Sequence, residues 1–157
     1  MQSFTKQDLQ ELFRYANALV HNEPDAFDLV QTAMTRVLVK QPENMMAYTK
    51  TTIRNIFYDQ YRRKKVLPME TYDDATTIID LHERHFEDTL VDRRTLQTLM
   101  HKLEPLDREI LFLYGYEGLT FDEIATKMQK KRGTLLSRMH RIKSKLQKMN
   151  KRENYGI

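Results

Sequence analysis

The chain has 157 residues, no cysteine, four glycines and a formal net charge of +4. Its length fits one ordinary domain or two small ones, while the lack of cysteine excludes disulfides and thiolate metal sites. The composition predicts an all-α fold, and the absence of a secretion signal or a run of roughly 20 apolar residues predicts a soluble, cytoplasmic protein without membrane insertion.

Two helices are predicted at the start of the chain. Apolar residues recur at helical spacing from Thr5 to Val20, and core packing is the preferred interpretation of this stripe. Its members are Leu9, Leu12, Phe13, Ala16 and Val20. Asn22 and Pro24 mark the start of a second helix that runs to Val39. Pro42 ends it, because the residue before a proline is pushed out of the helical region.

A third predicted helix, Met45 to Lys65, mixes aromatic with basic residues. Each ring taken alone is most simply a core residue. Beside an unbalanced basic run, however, rings can stack on unpaired bases while cations hold the phosphate backbone. The residues concerned are Tyr48, Lys50, Arg54, Asn55, Phe57, Tyr58, Tyr61, Arg62 and Arg63. This helix therefore has the chemistry needed to capture opened DNA.

Residues 66–92 carry eight acidic side chains against Arg84 alone. An acidic segment between two basic zones predicts a linker between two modules that face nucleic acid. A solvated, disordered spacer is the competing interpretation. His82 and His85 have the wrong spacing for a zinc-protease motif, and we expect no metal, cofactor, small-molecule substrate or catalytic site.

Two further helices joined by a polar corner are predicted after Leu119. Thr120 and Glu123 have the spacing of a reciprocal capping box. The first helix buries Phe121, Ile124, Ala125 and Met128, and the second buries Leu135, Met139, Ile142 and Leu146. The residues expected to turn outward from the second helix are Ser137, Arg138, His140, Arg141 and Ser144. This pattern suits a helix lying in the major groove of DNA.

An ordinary helical hairpin with a solvated basic face would give the same apolar pattern. From Lys127 to Arg152, however, there are eleven Lys or Arg residues and no Asp or Glu. A solvated face usually mixes both signs of charge, so a polyanionic partner is the better explanation.

Two groups of motifs resemble conserved regions of bacterial RNA polymerase sigma factors. Region two is resembled by Asp25-Ala26, Asp28-Leu29-Val30-Gln31, Tyr48, Arg54-Asn55, Asp59 and Arg62-Arg63. Region four is resembled by Leu103 to Leu111, Glu117 to Thr120, Glu123-Ile124-Ala125, Gly133-Thr134, Ser137-Arg138 and His140-Arg141. Both regions in this order, at this short spacing, resemble the small extracytoplasmic-function (ECF) type.

The resemblance implies a region two domain at 1–65, an acidic linker at 66–92 and a region four helix-turn-helix domain at 93–152. It implies a sigma factor that binds core RNA polymerase, directs it to specific promoters and assists promoter melting. Promoter DNA and an inhibitory anti-sigma factor are the other partners implied. The linker corresponds to the family segment that threads through polymerase toward its active cleft.

The family's functional residues transfer as follows. Asp28, Leu29 and Gln31 occupy the motif that docks on polymerase, although Leu29 has a purely core interpretation too. Contacts to the minus-ten element fall to Tyr48, Arg54, Asn55, Tyr58, Arg62 and Arg63. The loop at 40–44 corresponds to the one that holds an extruded base. Contacts to the minus-thirty-five element fall to Lys131, Arg132, Thr134, Ser137, Arg138 and Arg141.

Several residues depart from the family pattern. Tyr48 stands in place of the usual Trp and Thr32 in place of the usual Glu. Gln129 stands where glycine is usual, so we expect the corner to take another conformation. Leu136 replaces a basic residue, which removes a phosphate contact and adds an apolar contact for a thymine methyl. We therefore expect an unusual minus-thirty-five preference or a weaker dependence on that element.

Two other functions remain open at this point. The chain could be a helix-turn-helix regulator that binds DNA without acting as a polymerase subunit; the polymerase-docking motif and the aromatic, basic helix argue against it. It could also be a sigma-like interaction module that has lost DNA binding. The unbalanced positive charge after Lys127 argues against that function.

Overall fold

The computed structural model describes residues 2–64 and 93–154, which form seven helices. The chain divides into two compact units, Met1–Glu70 and Thr71–Ile157. The predicted all-α fold with two small helical domains is confirmed. The division between the units falls within 66–92, the predicted acidic linker, which lies outside the described residues together with its two histidines.

The first unit contains helices α1 (Lys6–Val20), α2 (Glu23–Lys40) and α3 (Met45–Lys64). Thr5 caps α1, because its hydroxyl accepts the Asp8 amide at 3.1 Å and the Asp8 carboxylate accepts the Thr5 amide at 3.0 Å. The Asn22 side chain caps α2 by accepting the Asp25 amide, and Pro24 stands in the first turn. The predicted break before α2 is therefore confirmed.

The inward faces of these three helices form the core of the first unit. Residues with no exposed surface include Leu12, Leu19, Ala33, Val37 and Ile53. Thr49 is also fully buried, and its hydroxyl donates to the Met45 carbonyl at 2.6 Å, so its polar atom is satisfied. Lys50 joins α3 to α1 through an ion pair with Glu11 at 3.1 Å. This packing holds the exposed faces of α2 and α3 in fixed positions.

The second unit contains helices α4 (Arg93–Lys102), α5 (Pro105–Gly115), α6 (Phe121–Met128) and α7 (Arg132–Asn154). One apolar cluster joins α4 and α5 to α7 through Leu99, Leu103, Leu111, Ile142 and Leu146. Phe121, Ile124 and Met128 of α6 are buried as predicted, as are Leu135 and Met139 of α7. Helices α6 and α7 thus form the predicted helix-turn-helix.

Helix α6, which leads into the corner, is capped at both ends. Thr120 and Glu123 form the predicted capping box, with both bonds at 3.2 Å. Gln129 ends α6 in the left-handed conformation, with φ 53° and ψ 45°. The expectation that this corner departs from the glycine-like conformation is therefore wrong. Gln129 adopts the left-handed conformation because its backbone N–H then donates to the carbonyls of Ala125 and Thr126 at the end of α6.

Arg138 lies inside the second unit. Only 3% of its surface is exposed, and its Nη1 atom lies 2.8 Å from Asp107 Oδ1 of α5. The prediction that Arg138 turns outward to contact DNA is therefore wrong. The physical reason is that Asp107, 31 residues earlier, supplies a carboxylate on the inner side of α7. A charged side chain can be buried when such a partner meets it.

Candidate nucleic-acid and partner interfaces

One open groove in the first unit brings together all six residues predicted to contact the minus-ten element. It lies between α2 and α3 and has a volume of about 760 Å³. The predicted residues that line it are Tyr48, Arg54, Asn55, Tyr58, Arg62 and Arg63. We call it the basic groove, since Asp59 is the one acidic residue among those that line it. Its excess of positive charge suits an extended polyanion.

Two rings of the basic groove lie against cations. The Lys40 ammonium is 5.0 Å from the centroid of the Tyr48 ring, and the Arg54 guanidinium carbon is 4.7 Å from that of Tyr58. Tyr48 is 37% exposed, so its ring is not part of the core. A cation beside an aromatic face is held there by the quadrupole of the ring. The groove therefore presents rings and positive charges side by side.

Arg36 and Thr52 also line the basic groove, and sequence reasoning missed both. Arg36 lies four residues before Lys40, so the two share one face of α2. This spacing was the available signal, but it does not show that the face turns toward α3.

Arg63 and Asp59 form an ion pair at 3.2 Å at the edge of the basic groove. Their side chains are 80% and 59% exposed, so the pair contributes little to stability.

The motif on α2 that is predicted to dock on polymerase contains both exposed and buried side chains. Asp28 and Gln31 are exposed, whereas Leu29 is only 6% exposed. The core interpretation of Leu29 is thus the one that its burial supports. Asp28 and Leu29 border a smaller groove of about 410 Å³, beside Phe57 and Tyr61 of α3. Gln31 is not among the residues of that groove.

An apolar strip follows the edge between α1 and α2. Phe27, Met34 and Leu38 recur on α2 at the spacing of one helical face, which also contains Gln31. The Phe27 ring is 56% exposed and packs on Phe13 of α1, with centroids 4.5 Å apart. We call this strip the apolar seam; its members are Leu9, Phe13, Phe27, Met34 and Leu38.

Leu9 was predicted to pack in the core, but it is 38% exposed. That prediction is wrong because the core side of α1 is centred on Leu12 and Leu19, which leaves Leu9 at the margin of the buried stripe. Exposed apolar side chains that lie together on a surface are typical of a protein contact. Sequence reasoning missed Phe27 as a functional candidate, although its position beside Asp28 was a signal.

Five of the six predicted minus-thirty-five residues remain at or near the surface. Lys131, Arg132 and Arg141 are exposed, while Thr134 and Ser137 are half-buried. Arg138 is the sixth residue, and its buried ion pair removes it from this face. Leu136 is half-buried. The start of α7 therefore presents cations and small polar groups together.

Basic side chains outnumber acidic ones around α7, and some of the basic side chains form ion pairs. Arg132 Nε lies 3.2 Å from Asp122 Oδ1, with 53% and 80% of the two side chains exposed. Lys127 Nζ lies 3.6 Å from Glu117 Oε2. Lys145 and Lys148 are exposed farther along α7. A basic helix face of this kind attracts a polyanion.

Family models match both units. The model described as Sigma-70 region 2 matches residues 4–66, and the model described as Sigma-70, region 4 matches residues 93–146. The RNA polymerase sigma-E factor of Streptomyces avermitilis is 30% identical over 149 residues, which cover 90% of this chain and 79% of that protein. The chain belongs to the ECF family of RNA polymerase sigma factors.

Other relatives of this ECF sigma-family chain have similar identities. The ECF RNA polymerase sigma factor SigE of Mycolicibacterium smegmatis is 29% identical over 148 residues, and the chain spans 58% of its length. The ECF RNA polymerase sigma factor EcfG of Rhodopseudomonas palustris is 30% identical over 138 residues, covering 84% of this chain and 75% of that protein. Sigma factors are not a family of enzymes.

A solved structure has the same fold as this ECF sigma-family chain. It is the sigma factor RpoE of Bartonella quintana in complex with the anti-sigma factor NepR. The TM-score is 0.62 at 24% identity, with 92% of each chain covered. Within residues 2–64 and 93–154 there is no helix suited to crossing a membrane, and no group of three His, Cys, Asp or Glu side chains suited to a metal ion.

Proposed function

We propose that this chain is an alternative sigma factor that binds core RNA polymerase, directs it to specific promoters and assists promoter melting, without catalysing a reaction. The observation that carries the proposal is the basic groove, which gathers all six predicted minus-ten residues on one surface. Helix α2, which lines the groove through Arg36 and Lys40, also carries the separate apolar seam. The combination suits a protein that joins DNA to another protein.

The basic groove holds the opened minus-ten strand in this proposal. Rings such as Tyr48 and Tyr58 offer stacking worth about 1–3 kcal/mol per base, while Arg62 and Arg63 offset phosphate charge. Stacking of this size compensates for the few kcal/mol that an extruded base loses on leaving the duplex. The loop at 40–44 borders the groove through Lys40 and is the proposed position of that base.

Helix α7 reads the minus-thirty-five element in this proposal. Lys131, Arg132 and Arg141 contact phosphates or base edges, and Thr134 and Ser137 add hydrogen bonds. Leu136 offers an apolar contact to a thymine methyl. Arg138 has no part in reading the sequence, because Asp107 holds it inside the unit.

Core polymerase binds the exposed face of α2 in this proposal. Asp28 and Gln31 provide polar contacts, and the apolar seam provides buried surface beside them. Leu29 contributes indirectly, because it packs in the core and supports α2. A regulator that bound DNA alone would have no use for exposed apolar side chains beside the docking motif.

The domain limits that we propose are 1–65 for polymerase and minus-ten binding, 66–92 for the linker and 93–152 for minus-thirty-five binding. An anti-sigma factor is the proposed inhibitory partner, supported by the complex in which the Bartonella quintana protein was solved. Because bacterial polymerase works in the cytoplasm, we propose that compartment for this chain. We propose no cofactor.

The test is a pull-down of bacterial core polymerase by the full chain, followed by run-off transcription from randomised promoter DNA. We expect stoichiometric binding and transcripts with defined start sites. The variant Asp28→Ala with Gln31→Ala should bind polymerase more weakly than the wild type. Duplex binding without polymerase binding would instead support the regulator, and the polymerase-docking assignment would be withdrawn.

A further inference from the structure

Asp122 and Arg132 form an ion pair at the start of the proposed recognition helix. Arg132 is the first residue of α7, and its Nε atom lies 3.2 Å from Asp122 Oδ1 in the first turn of α6. In helix-turn-helix proteins, the N-terminal residues of the recognition helix contact base edges. A residue at the point of DNA contact is thus already engaged with a carboxylate.

This carboxylate affects two kinds of DNA contact unequally. When Arg132 moves to a phosphate on arbitrary DNA, it exchanges one anionic acceptor for another, and Asp122 is left with its charge near the DNA backbone. A phosphate and a guanine edge can each accept two bonds from the guanidinium fork, but the guanine edge is uncharged and does not repel the Asp122 carboxylate. The exchange is therefore less costly at a suitable base than at an arbitrary phosphate.

We propose that Asp122 is a positioning residue that increases promoter specificity by restraining Arg132. The Asp122 carboxylate disfavours contacts between Arg132 and phosphates. At a suitable base pair, the base edge takes the place of the carboxylate as the partner of Arg132. The inference rests on the proposed role of α7 in DNA reading. The capping box that starts α6 uses Thr120 and Glu123, so Asp122 is not needed for that cap.

The variant Asp122→Asn tests this inference in the full chain. Binding to an arbitrary duplex and to a promoter duplex selected by transcription is measured between 50 and 200 mM salt. We expect Asp122→Asn to tighten arbitrary binding about 3–10-fold and to steepen its salt slope by about 0.9, the value for one added phosphate contact. Promoter affinity should change less, so the ratio of the two affinities falls.

Two controls separate this effect from a change in net charge. In the Arg132→Gln background, Asp122→Asn should have a clearly smaller effect, because only the direct repulsion between the Asp122 carboxylate and the DNA backbone is then removed. Glu104→Gln removes an exposed acid of the same unit that forms no side-chain cap, and it should leave the ratio unchanged. Thermal unfolding checks each fold, and Asp122→Gln is a second substitution if Asp122→Asn lowers Tm.

Equal tightening on both duplexes, an undiminished effect of Asp122→Asn in the Arg132→Gln background, or the same effect from Glu104→Gln would overturn the inference. These outcomes leave the proposed function standing, since the wild-type chain still binds its promoter. If the wild-type chain binds neither duplex, the proposed DNA reading by α7 fails, and the inference fails with it.

Discussion

The ion pair between Arg138 and Asp107 separates two kinds of charge on α7. Arg138 is 3% exposed, whereas Arg141, one turn later, is exposed. Both are arginines on the same helix, and only their neighbours distinguish them. Asp107 on α5 lies 2.8 Å from Arg138 and compensates its burial. Arg138 therefore stabilises the position of α7, while Arg141 stays exposed at the surface.

Arg138→Ala should destabilise the second unit by about 3–5 kcal/mol, because it leaves the Asp107 carboxylate buried without its cation. Chemical denaturation of the full chain, followed by helical signal, measures the change. The paired variant Arg138→Met with Asp107→Leu should recover much of the loss, since it removes both charges together. A loss below about 0.5 kcal/mol for Arg138→Ala would contradict a structural role.

Gln129→Gly should stabilise the second unit by about 0.5–1 kcal/mol. Gln129 has φ 53°, a conformation that costs a residue with a Cβ atom about 1–2 kcal/mol and costs glycine almost nothing. The greater freedom of glycine in the unfolded chain offsets part of this gain. The matched control is Gln129→Ala, which keeps the Cβ atom and should give no increase in Tm. Equal Tm values for both variants would show that the corner is unstrained.

Helix α2 serves three purposes with three faces. One face is buried through residues such as Ala33 and Val37. A second face brings Arg36 and Lys40 to the basic groove, and a third carries Phe27 and the rest of the apolar seam. Because a helix has 3.6 residues per turn, neighbouring residues in sequence point to different partners. One rigid element can thus hold DNA and polymerase at a fixed separation.

Phe27→Gln should weaken binding to core polymerase by about 1–2 kcal/mol, because full burial of a large apolar side chain contributes about 1.5–3 kcal/mol and Phe27 is 56% exposed. This corresponds to roughly 5- to 30-fold in Kd. Tyr116→Gln is the matched control, because Tyr116 is an aromatic side chain of similar exposure, 54%, that belongs to the second unit. Fluorescence-detected titration of polymerase measures both variants. Equal affinities would exclude the seam from the interface.

The charge of the whole chain conceals its distribution. The net charge is only +4, yet the basic groove of the first unit and α7 of the second are both strongly positive. The acidic side chains at 66–92 account for much of the balance. Separated zones of opposite sign matter more for a polyanionic partner than the total does, because screening restricts each charge to a range of about 10 Å.

Salt should therefore affect the two proposed partners differently. For six phosphate contacts, raising salt from 50 to 200 mM should weaken promoter binding by about a thousandfold, because each contact releases counterions. Polymerase binding through the apolar seam should change much less, since apolar burial does not release them. Parallel titrations of the full chain with promoter DNA and with polymerase measure this difference. Similar salt slopes for both partners would contradict separate surfaces.

Much of the fold could be predicted because helix signals are local. Asn22 and Thr120 cap their helices as expected, and the apolar stripes of α6 and α7 are buried as expected. A cap depends on residues within one turn, and a stripe depends on a period of 3.6 residues. The six minus-ten residues could be named together because the resemblance to region two assigns that role to positions of one predicted helix, α3.

The amino-acid sequence by itself determined five of the seven helices that the structure describes, the caps of α2 and α6, the distribution of charge and the order of the two sigma regions. Only the tertiary structure decided which arginine of α7 is buried, that Leu9 and Phe27 are exposed, and that Arg36 turns toward α3. The physical reason is that each of these depends on a partner distant in sequence. Asp107 stands 31 residues from Arg138, and no local period encodes that contact.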